Sequence, residues 1–361
     1  MPMLPMFTVR ALPHPEYRRD SIIPDRWVII STERAGRPIE SLPFRLDDQA
    51  VWCPFCEGRE SETPNEHESL REAGTSSDRP GWRVRVVPNR FPAVRSVDSS
   101  GPPSDHHQQP GIGQHEVILE CPHHESQLAN FSTEQFYDVL WMYRQRMRYH
   151  HDMRQFRYAQ LFKNVGAAAG ASLEHSHAQL IAMPLIPREL QAELDAVATH
   201  WKETRKCLYC ELIDRERHGP RTIGESSHFI AIAPFASRFC FECWILPLHH
   251  ESHFDAIDDV TLTIFARDLQ RLLQVLSHSL GNADYNLIFH TAPFDDERNH
   301  YHWHLEMIPR LTQAAGFEWG TGYAINPVPP EQAAEFFRDR LARPKQSIAD
   351  GLVTPEVPKG V

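Results

Sequence analysis

Between Asn164 and Pro184 the chain reads NVGAAAGASLEHSHAQLIAMP, and its centre, His175-Ser176-His177-Ala178-Gln179, sets two imidazoles and an amide at alternate positions. In an extended strand, side chains alternate between faces, so His175, His177 and Gln179 would share one face, about 7 Å between successive members. A free imidazole near its pKa attacks phosphorus at neutral pH, and the phosphoramidate it forms is labile enough to turn over. The run before it, Gly166 to Ser172, carries almost no side-chain bulk and would let a phosphate approach the backbone. The competing reading is a flexible Ala/Gly loop followed by a surface strand with two stray histidines, since chance yields His-x-His patterns among 22 histidines.

Cysteines supply an anchor for such a strand. Six of the seven fall into Cys-x-x-Cys pairs, Cys53/Cys56, Cys207/Cys210 and Cys240/Cys243, and without a secretory signal such pairs favour metal or redox roles over disulfides. A closed zinc site takes four ligands, and Cys2His2 is a common set. Each half of the chain offers a Cys-x-x-Cys, a histidine after a strand-ending proline, and the first histidine of a His-x-His. The sets are Cys53, Cys56, His124 and His175, and Cys207, Cys210, His250 and His302. Four ligands leave no open position, so each Zn2+ would tie strands together and activate no water. Reduced, exposed thiols are the alternative, but that accident would have to occur twice in register. Cys240/Cys243 lacks matching histidines and reads as structural. With His175 held by metal, His177 becomes the nucleophile. Gln179, Ser172 and the small-residue loop could donate to phosphate oxygens, and Arg34 and Arg37 could form a phosphate fork. Solvated surface arginines are the plainer reading of that pair.

The elements that position these groups repeat. Val84–Val87, His115–Glu120 and Tyr285–His290 read as strands. Ser132–Tyr149 and Val260–Leu276 read as helices with apolar residues on one face. His123-His124-Glu125-Ser126 recurs as His249-His250-Glu251-Ser252. His124 and His175 are 51 residues apart (175 − 124), and His250 and His302 are 52 apart (302 − 250). This spacing predicts an internal duplication: an α+β protein of two tandem halves, 1–195 and 196–361, each a mainly antiparallel sheet with one long helix. In the second half His304 and Glu306 stand where His177 and Gln179 stand in the first, and a carboxylate there would repel phosphate, so that half reads as catalytically silent. Residues 59–80 and 96–114 read as polar loops. The length of 361 residues, 41% hydrophobic and 24% charged, suits a soluble globular protein. The net charge of −11 weighs against a nucleic-acid footprint but leaves free nucleotides as ligands. The amino terminus has no apolar h-region, and the chain has no bilayer-spanning run, so the expected location is cytoplasmic, with no membrane partner.

The segments ERAGRP, CPFC, VPNRFPAV, CPHHES, NVGAAAGASLEHSHAQ, FHTAPF, HWHLEMIPRL and GFEWGTGYAINP together resemble the galactose-1-phosphate uridylyltransferase family of the histidine-triad superfamily. The resemblance implies two histidine-triad-like halves, a homodimer, and a ping-pong reaction. In that reaction His177 takes a nucleoside monophosphate from UDP-glucose and passes it to a hexose 1-phosphate. It also implies that Asn164, Ser172 and Gln179 hold phosphoryl groups with Arg34 and Arg37 nearby, that Asn89 lies in the nucleotide pocket, and that Tyr323 and Asn326 contact the hexose phosphate. Some members carry another metal, and the matching positions are Glu193, His290, His304 and Glu306, the last replacing a histidine. Ser176 and Ala178 depart from the family's usual His-Pro-His-Gly-Gln, and Arg90 replaces an acidic residue. These departures resemble the branch that includes ADP-glucose phosphorylase, which makes adenylyl transfer to phosphate the alternative reaction. Hydrolysis of dinucleoside polyphosphates is a further alternative. Gln179 opposes it, because the hydrolase branch generally carries a third histidine there.

Overall fold

The computed structural model describes residues 7–36, 52–96, 110–296 and 300–343. Strands β1 (Glu16–Arg19) and β2 (Trp27–Ile30) come first. The first half follows with β3 (Glu68–Arg71), β4 (Trp82–Pro88), β5 (Gln114–Leu119), helix α1 (Thr133–Met153), β6 (Tyr158–Val165) and β7 (His177–Met183). Helices α2 (Arg188–Thr204) and α3 (Leu208–Glu216) lead to β8 (Thr222–Glu225), β9 (Phe229–Ile232), β10 (Cys243–Pro247), α4 (Asp259–Ser279), β11 (Tyr285–His290) and β12 (His304–Pro309). Helix α5 (Gly316–Thr321), β13 (Ala324–Asn326) and α6 (Pro330–Leu341) close the described chain.

Ten strands form one sheet in the order β3-β4-β5-β7-β6-β11-β12-β10-β9-β8, with every neighbouring pair antiparallel. The order β3, β4, β5, β7, β6 is matched by β8, β9, β10, β12, β11, so the repeat in sequence is a repeat in space. The two sets join where Asn164 on β6 faces Asn286 on β11. The division proposed at 195/196 falls within α2, ahead of the second set.

The two long helices share one core with the sheet. On α1, Phe136, Val139, Leu140, Tyr143 and Met147 recur at three- and four-residue spacing and are buried, as are Leu262, Phe265, Leu269, Leu273 and Leu276 on α4. Each such side chain contributes about 1.5–3 kcal/mol when removed from water. Caps set where the helices begin: Ser132 accepts from the Gln135 N–H, and Asp258 from the Thr261 N–H. No helix among the described residues is long and apolar enough to cross a membrane.

Residues 59–80 correct the expectation of a polar loop. They hold a 3-10 turn at Glu60–Glu62 and strand β3. Arg85 on β4 is buried, and it gathers Glu66 at 2.9 Å, Asp78 at 2.7 Å and the Thr63 hydroxyl at 2.7 Å. The segment's polarity is thus paired inward with a distant arginine, which hydrophobic periodicity does not register. A second, three-stranded sheet joins β1, β2 and β13, with β13 parallel to β2.

Candidate active site

Strand β7 turns its alternation into chemistry. Ala178, Leu180 and Ala182 enter the core, while His177 and Gln179 line a cavity of about 590 Å3 on the other face, with Trp52, Phe55, Asn89, Phe91 and Ser172. His175 lies just ahead of the strand. The Nδ1 of His177 is 2.7 Å from the carbonyl oxygen of His175. A carbonyl accepts and never donates, so Nδ1 carries the hydrogen and Nε2 keeps its lone pair. Burial lowers the pKa of His177, and the nearby Lys163 charge adds to this, which favours the neutral ring.

The two Cys2His2 sets named from spacing come together in space as candidate metal clusters. Donor atoms of Cys53, Cys56, His124 and His175 lie within 4.8 Å of one another, and so do those of Cys207, Cys210, His250 and His302. Tetrahedral zinc, with Zn–S near 2.3 Å and Zn–N near 2.0–2.1 Å, requires an S···N edge of about 3.5 Å. Cys53 Sγ is 3.5 Å and Cys56 Sγ 3.6 Å from His175 Nδ1, and Cys210 Sγ is 3.6 Å from both His250 Nδ1 and His302 Nδ1. His175 Nε2 donates to the Cys121 carbonyl at 2.9 Å, and His302 Nε2 to the Pro247 carbonyl at 2.9 Å. Each Nδ1 therefore keeps its lone pair for a cation, the outer-shell arrangement a metal-binding imidazole needs. The donor sets fit zinc. Phe55, inside the first Cys-x-x-Cys, sets its ring edge-on to both His175 and His177, at 6.0 and 5.4 Å, so the knuckle also walls the cavity.

A buried ionic network supports the backbone of this motif. Lys163 on β6 donates to Glu120 at 2.6 Å, to the Ser176 hydroxyl at 3.0 Å and to the His177 carbonyl at 3.1 Å. Ser176 and Tyr143 also donate to Glu120. Spacing gave no sign of these residues. A lysine inside a strand pattern was the available signal.

Other candidates lie elsewhere. Asn164 accepts from Asn286 at 2.8 Å behind the small-residue turn and does not line the cavity. A Cβ at Gly166 would sit 2.0 Å from Asp284 Oδ1, and φ there is +82°. At this end the loop is small to admit the protein's own Asp284, which corrects the ligand explanation for that glycine. Arg34 lies on the 3-10 turn after β2, and Arg37 lies outside the described residues. Tyr323 packs its ring against Tyr17 at 6.4 Å. Asn326 is fully buried, donates to the Ser237 and Phe239 carbonyls and accepts from the Val328 N–H, which commits its amide to the fold and leaves it away from this cavity.

A family model described as a domain of unknown function, DUF4921, matches residues 113–357. ADP-glucose phosphorylase of Arabidopsis thaliana is 36% identical over 335 residues, covering 90% of this chain and 93% of the relative. Galactose-1-phosphate uridylyltransferase of Thermotoga maritima is 28% identical over 341 residues, covering 87% and 95%. The chain belongs to the galactose-1-phosphate uridylyltransferase family. A crystal structure of an ADP-glucose phosphorylase from Arabidopsis thaliana with bound ADP-glucose matches at TM-score 0.76 and 36% identity, across 90% of this chain and 99% of that one.

Within this uridylyltransferase family member, the positions implied for another metal also converge. Donor atoms of Glu193, His290 and His304 lie within 4.8 Å of one another. Glu306, the replacement for histidine, is 3.4 Å from His290 Nε2 and is also paired with Arg238. That fourth position is a carboxylate already matched by a guanidinium, where the resemblance implies a histidine.

Proposed function

We propose that this chain is a nucleotidyltransferase that carries a nucleoside monophosphate on His177 Nε2, with ADP-glucose as donor and inorganic phosphate as acceptor. The observation that carries the reading is the Nδ1–H bond from His177 to the His175 carbonyl. Nε2 attacks the α-phosphorus, and an N–P bond forms as the P–O bond to the sugar phosphate breaks. Glucose 1-phosphate leaves with the electron pair. The phosphorylated ring is cationic, and the His175 carbonyl accepts its remaining N–H. A phosphate oxygen then attacks the same phosphorus, the N–P bond breaks, and Nε2 recovers its lone pair as a nucleoside diphosphate forms. Gln179 and Ser172 donate to the non-bridging oxygens.

The family resemblance put uridylyl transfer between UDP-glucose and a hexose 1-phosphate first. The 36% likeness to an ADP-glucose phosphorylase favours adenylyl transfer over it, and Ser176, Ala178 and Arg90 depart in the same direction. The uridylyl reading stays second, supported by the Thermotoga maritima relative, which matches over 95% of its length. Radiolabelled ADP-glucose is expected to leave an acid-labile, base-stable label on the polypeptide that added phosphate removes. Labelling by UDP-glucose alone would install the second reading, and labelling by neither would refute both.

We further propose that zinc occupies both Cys2His2 sets as a structural ion. When bound, it would pin His175 and thereby the carbonyl that orients His177. Two zinc equivalents per chain are expected by elemental analysis, falling to one in Cys53→Ser/Cys56→Ser. A wild-type chain purified without added chelator but holding no zinc would contradict this.

Arg34 follows β2 and Tyr323 precedes β13 of the small sheet, and neither lines the His177 cavity; Tyr17 on β1, whose ring meets Tyr323, and Phe317 and Trp319 on α5, which leads to β13, are exposed. We propose a homodimer in which this face of one chain meets the cavity of the other. His304 is buried beneath Tyr209 and Trp244, at 5.0 and 5.2 Å between rings, which supports one working site per chain. Sedimentation is expected to give twice the chain mass, and Trp319→Glu to lower it. A monomeric wild type would end this proposal.

A further inference from the structure

His115 on β5 lines the same cavity, and two hydrogen bonds determine which of its nitrogens carries hydrogen. The Ala93 N–H donates to Nδ1 at 3.1 Å, so Nδ1 holds the lone pair. In the neutral ring the hydrogen is then on Nε2, which lies 2.8 Å from Oε1 of Gln179 and donates to it. Burial lowers the pKa of His115 and keeps the ring neutral around pH 7. Asn89 approaches the same Nε2 with its Nδ2 at 3.1 Å, and the Phe91 N–H holds the Asn89 oxygen at 2.8 Å. Two N–H groups facing each other form no hydrogen bond. Among the described residues the Gln179 NH2 donates to no protein group, so its hydrogens and those of Asn89 are open to a ligand in the cavity.

We propose that His115 is a positioning residue of the transfer reaction, which by engaging Oε1 of Gln179 commits that side chain's NH2 to the cavity beside His177. The proposal rests on the nucleotidyl-transfer reading above. An amide that flips presents oxygen to phosphate oxygens and turns a donor into a repulsion. Flipping moves few atoms, so its direction depends on what the far atom meets, and His115 offers that oxygen a hydrogen. With Nδ1 held by Ala93 and Nε2 by Gln179, neither ring nitrogen of His115 is free to act as an acid or base, so its effect runs through Gln179.

The test pairs His115→Asn, whose oxygen can take the place of Nδ1 but which has no donor at Nε2, with His115→Gln, whose amide reaches that position. Both are made in wild type and in Gln179→Ala, and kcat and KM are measured with ADP-glucose, with UDP-glucose, and with phosphate as acceptor. His115→Asn is expected to lower kcat by about 10- to 100-fold, the range for a displaced supporting group, with a smaller change in KM. His115→Gln should recover most of the loss, and His115→Asn should add nothing in Gln179→Ala. Full additivity of the two changes, or wild-type kcat in His115→Asn, overturns the proposal. Nitrogen-15 spectra of the wild type give a readout independent of turnover and of variant folding. They should show His115 as the neutral Nε2–H tautomer, and an Nδ1–H tautomer also overturns it. If the wild type moves no nucleotide while that tautomer is present, the transfer reading fails and the Gln179 contact stands.

Discussion

Replacing His177 by asparagine is expected to lower nucleotidyl transfer by about 10^4-fold or more, the scale of losing a nucleophile, while the fold and the metal content stay as in wild type. Asparagine can keep a donor toward the His175 carbonyl, so the backbone turn survives. It has no counterpart to Nε2, so no N–P bond forms and the polypeptide should take no label from a nucleotide sugar. Tryptophan fluorescence, melting temperature and metal content should match wild type. Turnover within tenfold of wild type would mean that the nucleotide is transferred directly between substrates, and the covalent pathway would be wrong.

The second large effect belongs to Lys163. Its side chain is 1% exposed and that of its partner Glu120 is 0% exposed, so neither charge is answered by water. Lys163→Met leaves the Glu120 carboxylate with hydroxyl donors and no cation. Removing one partner of a buried pair costs about 3–5 kcal/mol, and chemical denaturation should show a loss of that order. Because Lys163 also holds the His177 carbonyl, kcat should fall as well. Changing both partners, Lys163→Met with Glu120→Gln, removes the uncompensated charge and is expected to be less destabilised than Lys163→Met alone. A single variant within 1 kcal/mol of wild type would show that water or a relaxed neighbour answers Glu120.

How far such residues could be read from the chain differs by type. Zinc accepts few ligand kinds, so cysteine and histidine spacing pointed to eight residues that the fold gathers into two clusters. The faces of α1 and α4 were equally legible, because burial writes a 3.6-residue period into the sequence. His115 was not, since its partner Gln179 is 64 residues away and meets it through the β5–β7 pairing. Ser176 read as a departure from the family's proline, whereas in space its hydroxyl joins Lys163 to Glu120. Asn326 read as a substrate contact because its segment matched the family, yet three hydrogen bonds commit it to the loops around Ser237 and Val328.

The α+β class and the repeated order of elements can be read along the chain, together with two candidate ligand sets and a candidate nucleophile, because local period and ligand chemistry leave marks in the order of residues. Only in the folded chain does it emerge that the halves join through β6 and β11 into one sheet, that residues 59–80 fold around Arg85, and that Arg34 and Tyr323 do not line the cavity. Those outcomes depend on strand register and on charges that meet only through the fold, and neither leaves a local trace in the order of amino acids.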